Sequence, residues 1–248
     1  MNMPNGLSGK IAIVTGAAGG IGGAIAQAFC DAGLYVLGVD RPGRPAKVSS
    51  GRGQVSPMEI DIVGADAPRA IVNRCVAEFG GIDVVVNNAG IVIPQSIELI
   101  DDAAWEQTLA TNATAVMRLT RAAVPYLKQR GSGRIINIGS TSSAFAEAEH
   151  ASYCASKHAV AGLSKAMALD LGKFGITVNY VMPGFIGTPM AMDNYDPAVI
   201  ETWRNGTALG RIGSPQDIAG VVLFLVSDWS AFMTGAGLIV DGGHSLHE

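Results

Sequence analysis

Short apolar runs alternate with longer segments of helical period along the whole chain. The runs are KIAIVT (10–15), YVLGV (35–39), QVSPMEI (54–60), IDVVVN (82–87), RIINIG (134–139), ITVNYV (176–181) and GLIVD (237–241). Most are continuously apolar instead of alternating, as strands covered on both faces must be. Between them lie stretches such as GAIAQAFCDAG (23–33), with Gly33 placed to close a helix. Strand–helix–strand repeated this often, with right-handed crossovers, predicts an α/β chain. Its sheet is expected to be doubly wound, mostly parallel and seven-stranded, with helices on both faces. No linker, low-complexity tract or charge run interrupts the pattern, so a single domain over 1–248 is expected.

Composition removes competing classes. Apolar residues make up 48% and charged residues 15%, which excludes disorder. The 32 glycines follow no three-residue period, so they read as turn and close-approach glycines, not collagen. An aromatic share of 6% does not suit a jelly roll or propeller. A net charge of −4 without a Lys/Arg run leaves no footprint for nucleic acid. Cys30, Cys75 and Cys154 lie far apart and form no C-x-x-C, as expected of reduced packing residues. MNMPNGLSGK has no signal-peptide pattern, and VVLFLV (221–226) is far short of the ~18 residues of a membrane span. A soluble, cytoplasmic protein is the expectation.

The first strand runs into T-G-A-A-G-G-I-G (15–22) and then a helix. Gly16, Gly20 and Gly22 permit a tight turn that lets backbone N–H groups approach a pyrophosphate at the helix N-terminus. The second strand ends in Asp40, 18 residues past Gly22. A carboxylate there can accept hydrogen bonds from an adenosine ribose and would repel a 2′-phosphate. Arg41 follows it, but the turn itself supplies no basic residue, so NAD is expected over NADP.

Farther on, Tyr153 and Lys157 stand four apart in a long helical stretch and share one face. A free tyrosine has a pKa near 10, and a neighbouring ammonium favours its phenolate. The pair is a sensible acid/base couple for alcohol–ketone chemistry. Ser140 lies just past the carboxyl end of RIINIG, NNAG (87–90) ends another run, and Asn112 lies in the following helical stretch.

In this order the glycine turn, NNAG, Asn112, Ser140 and Y-C-A-S-K (153–157) strongly resemble the short-chain dehydrogenase/reductase family. The resemblance spans KIAIVTG to IVDGG (239–243) and includes PGFIGT (183–188) and LGRIGSPQDIA (209–219). It implies a Rossmann-type domain that binds NAD(P)(H), with a substrate cleft over the strand ends. Tyr153 would then exchange a proton with the substrate oxygen. Lys157 would lower its pKa and hold the nicotinamide ribose, Ser140 would bond the substrate oxygen, and Asn112 would hold a relay water. Cofactor contacts implied are Gly16, Gly20, Ile21, Gly22 and Asp40, then Asp61 and Ile62 at the adenine. Asn88, Tyr153, Lys157, Ile186 and Thr188 complete them. The Tyr–Lys spacing is that of the alcohol-dehydrogenase type, not the wider one of the enoyl reductases. A homotetramer on the helices at 103–129 and 152–173 is implied as well.

The function expected is NAD-dependent interconversion of a secondary alcohol and a ketone, without a metal. The alternatives are an NADPH-linked 3-oxoacyl reductase and a catalytically idle dinucleotide-sensing protein on the same fold. The least regular region, 183–214, is the expected substrate loop. Ser142 and His150 are expected to touch a polar or anionic substituent of the substrate. His244 and His247 read as tail residues, not metal ligands. Cys154, one residue along from Tyr153, points about 100° away and is no nucleophile.

Overall fold

The computed structural model describes residues 6–246, without the side chains of Met190 and Asn194. The seven apolar runs form β1 (Ile11–Thr15), β2 (Tyr35–Asp40), β4 (Gln54–Glu59), β5 (Val84–Asn87), β6 (Arg134–Ile138), β7 (Thr177–Pro183) and β8 (Gly237–Val240). An eighth strand, β3 (Ser49–Ser50), was not expected and pairs antiparallel with β4 at the sheet edge. Two residues are too few to carry a hydrophobic pattern, so nothing in the sequence announced it. The remaining strands are parallel, in the order β4-β2-β1-β5-β6-β7-β8.

The continuous apolar runs are explained by two cores. Ala12 and Val14 of β1 face a core with α1 (Gly20–Asp31) and α8 (Pro215–Val226), where Ile25, Phe29, Val222 and Leu225 are buried. Ile11 and Ile13 face the opposite core, with α2 (Ala67–Phe79), α4 (Ala115–Arg130) and α5 (Ala151–Leu171). Successive strand residues point to opposite faces, so a sheet covered twice needs apolar residues at every position. Each fully buried Leu, Ile or Phe here contributes roughly 1.5–3 kcal/mol relative to exposure.

Strand order reverses between β1 and β5, which opens a crevice beyond their carboxyl ends. Three local features shape the chain above that crevice. A π-helical turn, Ala110–Thr114, separates α3 (Asp102–Leu109) from α4 and carries Asn112. The region 183–214 is less irregular than expected, since it holds α6 (Pro189–Asn194) and α7 (Pro197–Gly206). Both begin at a side-chain cap followed by proline, Thr188-Pro189 and Asp196-Pro197, a start signal legible in the sequence. Among the described residues no helix is long and apolar enough to cross a membrane.

Candidate active site

The glycine turn after β1 is shaped by what cannot fit in it. Gly16 and Gly20 have φ of +68° and +54°, in the left-handed region. A Cβ at Gly22 would lie 2.1 Å from the Gly16 carbonyl oxygen and 2.5 Å from Asn88 Nδ2. The turn therefore closes only on bare backbone. Helix α1 starts with no side-chain cap and no acidic residue in its first turn. Its N–H groups stay available for an anion, so a dinucleotide pyrophosphate fits here.

Asp40 braces the same turn. Its Oδ2 accepts the Ala18 N–H at 2.8 Å and its Oδ1 the Arg41 N–H at 2.9 Å, which leaves further lone pairs for ribose hydroxyls. Arg41 itself is exposed. Asn88 clamps the turn from β5, donating through Nδ2 to the carbonyls of Thr15 at 2.9 Å and Gly16 at 3.3 Å. Thr15 Oγ1 in return accepts the N–H groups of Asn88 and Ala89. Past β4, Asp61 is exposed and accepts the Val63 N–H, while Ile62 packs against the second core. Ile186 is buried and bridges to Gly213. Thr188, the cap of α6, sits against the glycine turn, 3.2 Å from where a Gly20 Cβ would be.

Ser140, Tyr153, Lys157 and Asn112 come together at the carboxyl ends of β5 and β6. Ser140 caps a short 3-10 turn, Thr141–Ser143, by accepting the Ser142 N–H at 3.1 Å, and it hydrogen-bonds the Tyr153 phenol. Lys157 is buried one turn along α5, with Nζ 5.5 Å from the Tyr153 ring centroid and donating to the Ile138 carbonyl at 2.8 Å. The Asn112 amide brackets Ile91, accepting its N–H and donating to its carbonyl, both at 2.9 Å. It also donates to Ser156 Oγ at 3.0 Å, and Ser156 donates on to the Tyr153 carbonyl. The π-helical turn thus ties the loop after β5 to the start of α5.

Burial pushes the Tyr153 phenol up to about 12, against the pull of the Ser140 hydrogen bond; Tyr195, Glu147 and Cys154 add to the rise. Burial brings the Lys157 ammonium down to about 8. Tyr153 in this setting holds its proton and is a donor.

A cavity of about 250 Å³ opens at Thr141 and Ser142, the residues that follow Ser140. Four hydroxyl residues line it, Thr141, Ser142, Thr202 and Ser245, together with the Glu147 carboxylate. Phe145, Trp203 and His244 complete much of the wall. Trp203 is stacked by Phe185 at 5.6 Å and lies against His244 at 4.3 Å between centroids. Ser142 lines the cavity, Thr202 and Trp203 reach it from the expected substrate loop at 183–214, and Ser245 was not expected. His244 was read as tail, and His247 lies outside the described residues. The chain end folds back because Asp241 accepts the N–H groups of Gly243 and Ser245, both at 2.8 Å. The D-G-G run (241–243) is the signal that could have revealed it.

His150 is buried beside the site with both ring nitrogens engaged. Nδ1 faces the Ala148 carbonyl at 2.7 Å, so it carries the proton, and Nε2 accepts from the Tyr195 hydroxyl at 3.2 Å. Its ring meets Tyr153 edge-on at 6.3 Å. His150 therefore joins the 141–150 segment to the α6–α7 connection.

The family model described as "Enoyl-(Acyl carrier protein) reductase" matches residues 16–245. The chain is 36% identical to the 2,5-dichloro-2,5-cyclohexadiene-1,4-diol dehydrogenase LinX of Sphingobium indicum, over 98% of this chain and 99% of that protein. It is 37% identical to the 3-oxoacyl-[acyl-carrier-protein] reductase FabG of Vibrio cholerae, over 96% and 98%. Among solved structures, ligand-free aldohexose dehydrogenase of Thermoplasma acidophilum aligns with a TM-score of 0.87 and 34% identity, covering 97% of this chain and 95% of that one. With this match along its whole length and a fold of the same kind, the chain belongs to the short-chain dehydrogenase/reductase family, oxidoreductases that work with a nicotinamide dinucleotide.

Proposed function

We propose that this protein is an NAD-dependent oxidoreductase that interconverts a secondary alcohol and a ketone, with Tyr153 as the acid/base. The observation that carries the reading is the meeting of Ser140, Tyr153 and Lys157 at the strand ends, between an open glycine turn and a cavity lined by Thr141 and Ser142. When bound, a nicotinamide supplies the hydride donor or acceptor, and its oxidised ring is cationic. Gly16, Gly20, Ile21 and Gly22 would hold the pyrophosphate, Asp40 the adenosine ribose, and Asp61 with Ile62 the adenine. Asn88 would shape that crevice, while Ile186 and Thr188 would close it at the nicotinamide end. In ketone reduction Tyr153 gives its proton to the substrate oxygen, and Ser140 donates to the same oxygen as charge develops. In alcohol oxidation Tyr153 must first lose that proton, and positive charge on Lys157 favours this. Lys157 would also hold the nicotinamide ribose, and Asn112 a water that relays protons. Ser142 would touch the substrate directly, and His150 through Tyr195.

The diol-dehydrogenase relative supports small alcohols as substrates, whereas the FabG relative favours the NADPH-linked 3-oxoacyl reductase alternative. Asp40 argues against the latter, because its carboxylate, held to the turn through Ala18, would repel a 2′-phosphate. A cytoplasmic homotetramer is part of the proposal; Leu169, 85% exposed on α5, gives a second copy an apolar surface to cover.

The test is a fluorescence titration with NADH and NADPH of wild type, Asp40→Ala and Tyr153→Phe, followed by turnover on an alcohol and ketone panel. Expected are an NADH preference that collapses in Asp40→Ala, and a loss of about 10³-fold in kcat in Tyr153→Phe with NADH affinity retained. A wild-type preference for NADPH would move the 3-oxoacyl reductase forward. Tight NADH binding without turnover on any substrate would favour the idle sensor.

A further inference from the structure

We infer that the cavity beside Thr141 and Ser142 is built for a small, uncharged diol on an apolar frame, and that Glu147 turns carboxylated and phosphorylated analogues away. The inference rests on the oxidoreductase reading and names its substrate class. Four facts about the walls carry it. The hydroxyls of Thr141 and Ser142 can donate or accept, whereas Thr202 donates to the Ala198 carbonyl and Ser245 is engaged by Asp241, so these two offer a substrate O–H an acceptor. The Glu147 carboxylate only accepts, so it pairs with a substrate O–H and meets a substrate anion as a like charge. Among the described lining residues there is no Lys or Arg to neutralise such an anion. The volume, about 250 Å³, suits a molecule the size of a small ring or short diol rather than a long acyl chain.

Glu147 also acts on the reacting end of the cleft. Its charge raises both Tyr153 and Tyr195, after burial in each case, so the carboxylate is close enough to be felt where the substrate oxygen must sit. His244 is the one other titratable residue in the wall, and it is held against Trp203 and Gly206. A cationic substrate would satisfy Glu147 but would face the Lys157 ammonium across Tyr153. Of the polar and anionic substituents that the sequence left open, the wall chemistry selects the polar neutral one.

Three ring-matched alcohols test this: cyclohexane-1,2-diol, 2-hydroxycyclohexanecarboxylate and 2-aminocyclohexanol. Binding of each to wild type and Glu147→Gln, with NAD present, is measured by calorimetry alongside kcat/KM. The diol should bind wild type about tenfold or more tightly than the carboxylate, and Glu147→Gln should shrink that ratio about tenfold by admitting the carboxylate. A wild type that prefers the carboxylate or the amine, a ratio unmoved in Glu147→Gln, or binding of none of the three overturns the inference. Turnover accompanying those outcomes leaves the oxidoreductase reading standing. Selective diol binding without turnover of any alcohol would instead keep the inference and overturn the reading.

Discussion

The two halves of the cleft are built from different materials. The cofactor side is made of backbone: Gly16 and Gly20 turn through the left-handed region, Gly22 sits where a Cβ cannot go, and Asp40 and Asn88 hydrogen-bond main-chain groups of the turn. The substrate side is made of side chains drawn from three places far apart in the chain. These are the 141–150 segment, the stretch of Tyr195 and α7 with Trp203, and the C-terminal turn with His244. Backbone geometry tolerates almost no substitution, because one added carbon meets a carbonyl at a distance no atoms adopt. A wall of side chains can change its lining residue by residue while the helices and strands that carry it remain. The fold can thus keep one cofactor site and offer many substrate sites.

That contrast can be broken most sharply at Gly22. Gly22→Ala must displace both Gly16 and Asn88, a strain of about 2–3 kcal/mol, and the melting temperature should fall by about 4–10 °C. NADH affinity should fall by about tenfold or more, because the turn opens. Unchanged melting and affinity would show the cofactor half to be as tolerant as the substrate half.

Lys157 lies at the seam of the halves and sharpens the comparison through pH. Burial lowers it to about 8 from an ordinary value of 10.5. Between those values the unfolded chain keeps a proton that the folded chain has released, so stability rises with pH through that interval. Below about 8 the folded chain bears the full cost of a buried ammonium. The melting temperature of wild type should therefore climb relative to Lys157→Met between about pH 8 and 10, by about 3 °C or more. Parallel curves would mean that Lys157 is not desolvated.

The smallest effect is expected on the substrate side. Tyr195→Phe removes the hydroxyl that His150 Nε2 accepts, a loss of about 1 kcal/mol at a half-buried site. KM should rise by roughly fivefold or less, with NADH affinity and melting temperature nearly unchanged. A variant that also lost NADH affinity would show the two halves to be mechanically coupled through His150 and Tyr153.

How much of this was legible beforehand follows the same division. Each apolar run became a strand within one or two residues, and β1, β5, β6 and β7 are buried throughout, as strands covered on both faces must be. The glycine turn, Asp40 and the Tyr153–Lys157 pair were readable because their chemistry depends on short spacings along the chain. The edge strand at Ser49–Ser50 was not, since its two residues carry no periodicity. Helices α6 and α7 could have been read from their Thr-Pro and Asp-Pro starts, which the mixed composition of 183–214 obscured.

The sequence by itself therefore determined the layered α/β architecture and the residues that face the cofactor and carry the proton. Only the tertiary structure decided that Trp203, His244 and Glu147 share one cavity, that His150 is spent on Ala148 and Tyr195, and that Asn112 ties Ile91 to Ser156. Local patterns are written by the periods of helix and strand, which any window of the chain displays. Contacts between segments fifty or a hundred residues apart leave no period, and they exist only once the sheet has set where each loop emerges.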